Sequence, residues 1–349
     1  MTRPPPYLVR RLVWNPLFLA GTVLLFTTLP LWIVIAAFAS RIIPGRWRPL
    51  RVAWFLFVYL LFESIVLVTL FVLWVASGLG WKVRSPAFQS VHYRLAGWWL
   101  RRVLGSARVT FNLKFRNDDD APEAPTPATE PLLVFSRHAG PGDSFLLVDA
   151  VLNEAGRRPR IVLKDVLQLD PCVDVALNRL PNAFVPSTGR AGEAAIEAIA
   201  QLSEGMVGGD AMVLFPEGGN YTERRHSRAI EKLEEMGRPD LAEQARAMRH
   251  LLPPKPMGAL KAIDSAPRAS IAFVGHVGLE RLSTLGDLWR GIPMDAEVTT
   301  RIWRFSAEEI PPAAEREQWL YDCWTRMDDW IEATLLAEHA VPASGGGRG

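Results

Sequence analysis

The chain has 349 residues, 39 basic and 37 acidic side chains and a formal net charge of +2, but the charge is unevenly spread. Residues 1–117 carry 15 Lys or Arg and one acid, Glu63, leaving this part at +14 and the remainder at −12, which excludes an evenly mixed soluble surface. An apolar share of 49% excludes disorder, and Cys172 and Cys323, in no metal-binding spacing with each other or with His, exclude a disulfide framework and a structural zinc site.

Residues 12–40 hold no charge, and residues 52–81 hold only Glu63. Each run exceeds the ~20 apolar residues that a bilayer core requires of a helix. For the first run a cleavable signal is the alternative, because Arg10 and Arg11 precede it and Ala37-Phe38-Ala39 resembles a cleavage site. Its length and the second run favour a helical hairpin over residues 1–81. Pro44 and Pro49 break the helix in the basic link RIIPGRWRPLR. Both ends of the hairpin and its link are basic, so charge selects no topology. Two full crossings and a hairpin that enters one leaflet and returns, bent at Pro30, both fit. Trp47, Trp81, Trp98 and Trp99 flank the apolar runs, as headgroup-level anchors would. Residues 87–104 mix aromatics with Arg94, Arg101 and Arg102 and predict an amphipathic helix in the interface. The basic, apolar N-terminal part therefore points to an anionic bilayer as partner and not to nucleic acid.

Residues 82–339 read as one α/β domain. Strands are expected at 107–113, 131–136, 160–164, 211–216, 270–275 and 298–305, and helices at 144–156, 190–205, 223–248 and 315–339. This alternation predicts a mixed central sheet flanked by helices. Residues 117–130 are an acidic, Pro/Ala-rich spacer, and 340–349 a Gly-rich tail expected to be disordered.

Two turns carry the chemistry. The strand PLLVFS runs into Arg137-His138-Ala139-Gly140-Pro141-Gly142-Asp143-Ser144. The small residues allow Asp143 to turn back onto His138, fixing its tautomer and leaving the other ring nitrogen free as a base. Ser136 and Ser144 lie beside this turn, but no G-x-S-x-G elbow is present, which favours direct transfer over a covalent enzyme intermediate. The strand AMVLFP ends in Glu217-Gly218-Gly219-Asn220, a Gly-rich turn whose N–H groups could meet an anion, or a plain strand-to-helix connection.

Together with the apolar hairpin, these residues resemble the lysophospholipid acyltransferase family, which contains 1-acyl-sn-glycerol-3-phosphate acyltransferase. His138 and Asp143 match its H-x4-D motif, and Phe215, Pro216, Glu217 and Gly218 match the start of its F-P-E-G-T-R motif. The run EGGNYTERRH is similar to the branch holding lysocardiolipin acyltransferases, as are Leu251 to Gly258 and Lys164-x-x-Leu167-x-x-x-Pro171. The resemblance spans residues 85–335. It implies that His138 is the base and Asp143 its orienting partner. It further implies that Glu217 and Gly218 shape the acceptor site and that Lys164 contacts a phosphate. The co-substrate would be an acyl-CoA or acyl-ACP thioester, with no resident cofactor or metal. The substrate would be a lysophospholipid, first of all lysophosphatidate, on the cytoplasmic side of a membrane (the inner membrane in a bacterium).

The chain departs from the family where Thr-Arg is replaced by Gly219-Asn220 and where an expected arginine is displaced to Arg190. Arg190, Arg224, Arg225 and Lys255 are the candidates to supply the missing phosphate grip. Two alternatives stay open on these residues: a different lysophospholipid or glycerolipid acceptor, and a non-catalytic lipid-binding protein with the same fold.

Overall fold

The computed structural model describes residues 4–118, 129–140, 142–186, 191–279 and 285–340. The N-terminal part is helical: α1 (Tyr7–Val9), a π-helical turn Arg10–Trp14, α2 (Asn15–Thr27), α3 (Leu29–Ile42), α4 (Arg48–Ala76) and α5 (Pro86–Phe111). The first apolar run is divided at Thr28, just before Pro30. Two segments, Tyr7–Thr27 and Arg48–Ala76, are long and apolar enough to be candidate membrane spans. The strand expected at 107–113 is instead the end of α5 and its cap. The helix continues through the β-branched Val109 and Thr110 because its inner face packs on α4, and it stops only where Asn112 turns left-handed at φ 53°.

The rest is α/β. Its elements are β1 (Lys114–Asn117), β2 (Leu132–Ser136), α6 (Asp143–Asp149), β3 (Arg158–Lys164), α7 (Pro171–Leu177), β4 (Ala183–Val185), α8 (Ala191–Ser203) and β5 (Asp210–Leu214). They continue as α9 (Glu223–Glu235), α10 (Pro239–Ala247), α11 (Pro256–Ser265), β6 (Ser270–Val277), α12 (Leu285–Gly291), β7 (Glu297–Phe305) and α13 (Arg316–Ala340). The seven strands order as β1-β7-β6-β2-β5-β3-β4, and only β6 with β7 is antiparallel. This is the mixed, helix-flanked sheet expected from the sequence. The single helix expected at 223–248 is two, because Gly237 adopts φ +70° and Pro239 starts a new one. Most of the spacer and tail (119–128 and 341–349) lie outside the described residues.

Each residue of β2 is buried, which suits a central strand covered on both faces. Leu133 and Phe135 enter the larger core with Trp324, Met248 and Leu241; Leu132 and Val134 face Leu147 and Val151 on the other side. Gly278, just after β6, has φ +104°, and a Cβ there would lie 2.2 Å from the Glu297 carbonyl oxygen. Gly278→Ala is therefore expected to lower stability by about 3 kcal/mol, read as a shift in denaturation midpoint with an unchanged slope.

The apolar helices do not project away from the sheet domain. Val66, Leu67 and Leu70 of α4 form one core with Trp99, Leu100 and Val103 of α5 and Cys172 and Val175 of α7. Glu63, fully buried, accepts the Cys172 N–H at 3.0 Å. Tyr59 Oη–H donates to Asp170 at 2.6 Å, and Arg10 and Arg11 both pair with buried Asp174, at 3.1 and 3.0 Å. Polar side chains fix one flank of the hairpin to the domain, while Leu17, Leu24, Val34, Phe38, Trp54 and Phe71 are exposed elsewhere on these helices.

Candidate active site

The sheet order brings the two turns together. Strand β2 lies between β5 and β6 and parallel to both, with Phe135 opposite Leu214 and Phe273. The C-terminal ends of all three strands therefore emerge side by side, the usual location of sites in such sheets.

Beyond β2 the chain passes His138 and enters α6 at Asp143, so the carboxylate folds back over the link. Its Oδ2 accepts the N–H groups of Ala139 at 2.7 Å and Gly140 at 3.1 Å, and it lies 2.8 Å from His138 Nδ1. Ser144 Oγ–H donates to Oδ1 at 3.2 Å. Burial alone would raise the Asp143 pKa. The hydrogen bond and charge of His138, the nearby His276 and the Gly140 N–H outweigh it, and the carboxyl stays below its ordinary value. An ionised Asp143 accepts a hydrogen bond from His138 Nδ1–H, which leaves Nε2 as the nitrogen with a lone pair. The His138 side chain is 25% exposed and its ring centroid is 4.8 Å from that of Phe215, so the imidazole stands at the surface of the turn and not inside the core.

Glu217 links the second turn to the first. It is 2% exposed; Oε1 accepts the His138 backbone N–H at 2.9 Å, and Oε2 accepts the Leu252 N–H at 3.1 Å. It therefore shapes the site through the backbone, with both oxygens already engaged by protein. Burial pushes its pKa up to about 7, against the opposing pull of Arg137, His138 and the two N–H groups. The segment carrying Leu252 is held in turn by α13: Asp328 accepts the N–H groups of Arg249, His250 and Leu251 at 2.8 to 2.9 Å.

Gly218, in the left-handed region at φ +69°, turns the chain beneath Lys255, whose N–H donates to Pro216 O at 2.9 Å. Lys164 is exposed at the end of β3, and Arg224 is exposed in the first turn of α9. Arg190 lies outside the described residues. Ser136 is buried and donates to the Val274 and Arg137 carbonyls, so it is no nucleophile. Reading the sequence did not single out His276 on β6, whose Nε2 is 4.0 Å from Asp143 Oδ2, nor buried Arg137, which donates to the His276 carbonyl. No local motif marks either residue; His276 is there because β6 neighbours β2.

A family model described as Acyltransferase matches residues 112–255, less than half of the chain and including both turns. No curated protein matches the sequence. Among solved structures, the crystal structure of the 1-acyl-sn-glycerophosphate (LPA) acyltransferase, PlsC, from Thermotoga maritima is similar at a TM-score of 0.43 and 13% identity, over 92% of this chain and 97% of that one.

Proposed function

We propose that the chain is a membrane-bound acyltransferase that esterifies the free hydroxyl of a lysophospholipid with the acyl group of a CoA or ACP thioester. The acceptor we favour is 1-acyl-sn-glycerol-3-phosphate, giving phosphatidic acid. The observation that carries this reading is the Asp143-held His138, its Nε2 free at a strand end where the second turn is locked to it. The Acyltransferase match over residues 112–255 supports the same reading. Nε2 takes the proton of the lysolipid hydroxyl as its oxygen attacks the thioester carbonyl. The C–S bond then breaks, and the thiolate leaves with the proton that His138 has held. His138 ends neutral, and the products are an ester and a thiol. Purified chain given radiolabelled acyl-CoA and a panel of lysolipids should label the product of lysophosphatidate first; labelling of none of them would sink the proposal.

For the membrane, the contacts of α4 favour a hairpin lying in one leaflet. Near its start, Arg48 donates to the Ile292 and Arg290 carbonyls, and further along Arg179 donates to the Leu70 carbonyl. Those contacts are separated by about 33 Å of helix, the thickness of a hydrocarbon core. A crossing helix would draw the polar domain residues between them through lipid at large cost. With its domain-facing flank up and the exposed apolar face down, the hairpin would bury its hydrophobic surface from one side. Single cysteines replacing Arg46 and Arg84 should then both react with a membrane-impermeant maleimide added on the catalytic side of sealed vesicles. Protection of either one from that side would favour crossing.

A further inference from the structure

Where the first helical segment, the end of α4, the start of α5 and the end of α7 meet, arginines outnumber acids. Asp174 of α7 pairs with Arg10 and Arg11 at 3.1 and 3.0 Å. Arg11 Nη2 and Asn178 Nδ2 both donate to the Asp174 carbonyl, at 3.1 and 2.7 Å, and Arg84 Nη2 donates to the Asn178 carbonyl at 3.1 Å. Arg179 Nη1 donates to the Leu70 carbonyl at 2.8 Å and to Nε2 of buried His92 at 3.2 Å. That nitrogen is an acceptor, so His92 is neutral and its Nδ1–H donates to the Phe88 carbonyl. Arg10, Arg11, Arg84 and Arg179 thus surround one carboxylate. Asp170, a turn earlier, is taken by the Tyr59 hydroxyl and the Val173 N–H, and Glu63 accepts the Cys172 N–H. The terminal carbonyls of α7 offset only about half a charge. Burial and the charge of Arg11 push the Arg179 pKa down to about 10. Among the described residues neither Arg84 nor Arg179 pairs with a carboxylate, and each meets protein through one terminal nitrogen, which leaves further donors on both. Tyr93, beside His92, donates to the Pro159 carbonyl at the start of β3, so this corner lies at the opposite end of the parallel strands from His138. Tyr7, Leu8 and Leu12 beside Arg11, and Leu79 and Trp81 just before Arg84, are exposed.

We propose that Arg11, Arg84 and Arg179 form a headgroup site for one anionic phospholipid of the surrounding leaflet, at the end of the hairpin remote from His138. The site rests on the membrane reading above and is independent of acyl transfer, because this lipid is bound and not converted. A phosphodiester presents two oxygens that share its charge, and guanidinium forks match them in plane. The apolar border selects a lipid over a soluble anion: acyl chains lie along Leu8 and Leu12, and Trp81 stands at headgroup level. One lipid then bridges three separate segments, the turn before α2, the turn before α5 and the end of α7, and braces hairpin and sheet domain together against an anionic leaflet.

The test uses the full chain in dodecylmaltoside with Arg84→Gln, Arg179→Gln and the double variant. A control carrying Arg41→Gln and Arg102→Gln removes the same charge from exposed positions elsewhere. Arg11 is kept, because buried Asp174 pairs with it. Native mass spectrometry during titration with dioctanoylphosphatidylglycerol counts the bound lipid. The parent chain and the control should hold one phosphatidylglycerol more than the double variant, whose affinity for that lipid falls about tenfold or more. Arg84→Gln, at an exposed position, should weaken binding at an unchanged melting temperature, so the result does not depend on half-buried Arg179 being replaceable. Equal retention by parent and double variant, or equal retention of zwitterionic dioctanoylphosphatidylcholine by the parent, would overturn the site. Displacement of the lipid by equimolar inorganic phosphate would make this a place for a soluble anion and overturn the lipid assignment. Flotation of the parent chain with phosphatidylglycerol vesicles separates the site from the membrane reading. No flotation would sink both, whereas flotation with equal lipid retention in parent and double variant would sink the site alone.

Discussion

Replacing His138 by Ala should reduce acyl transfer by about 10²–10⁴-fold while leaving the far-UV spectrum and melting temperature near those of the parent chain. The side chain is partly exposed and packs on one face of Phe215, so little core is lost with it. What is lost is an imidazole whose Nδ1 is hydrogen-bonded to Asp143. Asp143→Asn tests the same unit from the other side. An amide NH₂ group cannot accept the Nδ1–H hydrogen bond, and the amide faces the Ala139 and Gly140 N–H groups with a single acceptor. The neutral ring then has less reason to keep its proton on Nδ1, and the link is less firmly folded. Kinetics and thermal melts on the same preparations separate the two effects: a large loss of rate in His138→Ala at unchanged stability is the expected result, and full activity in that variant would remove His138 from the reaction.

Glu217 should give the second large effect, and for a different reason. Both of its oxygens accept buried backbone N–H groups, those of His138 and Leu252. Glu217→Ala leaves two donors without partners, at about 1–3 kcal/mol each, and frees the strand-end turn from the His138 backbone it holds. Glu217→Gln is the sharper substitution. It keeps the volume and offers one acceptor, but its NH₂ must oppose the other N–H. A pH dependence accompanies this. The folded carboxyl, pushed up to about 7, lies above its ordinary value of 4.5, so between these values the folded chain holds a proton that the unfolded chain releases. This group's contribution to stability is greatest below about 4.5 and declines as pH rises toward 7. Denaturant midpoints measured at intervals across that range should fall for the parent chain, and the slope should flatten in Glu217→Gln. A slope that is the same in both would show that Glu217 does not carry it.

The sheet class and the two turns were legible because they depend on local sequence. The run PLLVFS is apolar throughout, as a strand covered on both faces must be, and the small residues between His138 and Asp143 permit only a short return. Residues 107–113 misled because Val109, Thr110 and Phe111 have strand-like preferences, while the packing of α5 on α4, invisible in the local pattern, decides for helix. The role of Glu217 was not legible for a similar reason. The resemblance implies that Glu217 shapes the acceptor site, and only the sheet order shows that its oxygens reach the backbone of another strand end and of residue 252. His276 is hidden more deeply still, since only β6 lying beside β2 brings it to Asp143. The candidates for a phosphate grip were legible as a set of charges; that Lys255 and Arg225 lie against Gly218 and Gly219 required the fold.

In the proposed reaction the group that His138 deprotonates is a lipid hydroxyl. The most direct measurement follows thiol release from acyl-CoA and ester formation together, using purified full-length chain in anionic vesicles. It supplies lysophosphatidate in one arm and, in the other, an analogue whose free hydroxyl is replaced by hydrogen. The expected result is one thiol released per ester formed with the hydroxyl-bearing acceptor, and negligible release with the analogue. Equal thiol release in both arms, with water taking the acyl group, or none in either, would contradict it.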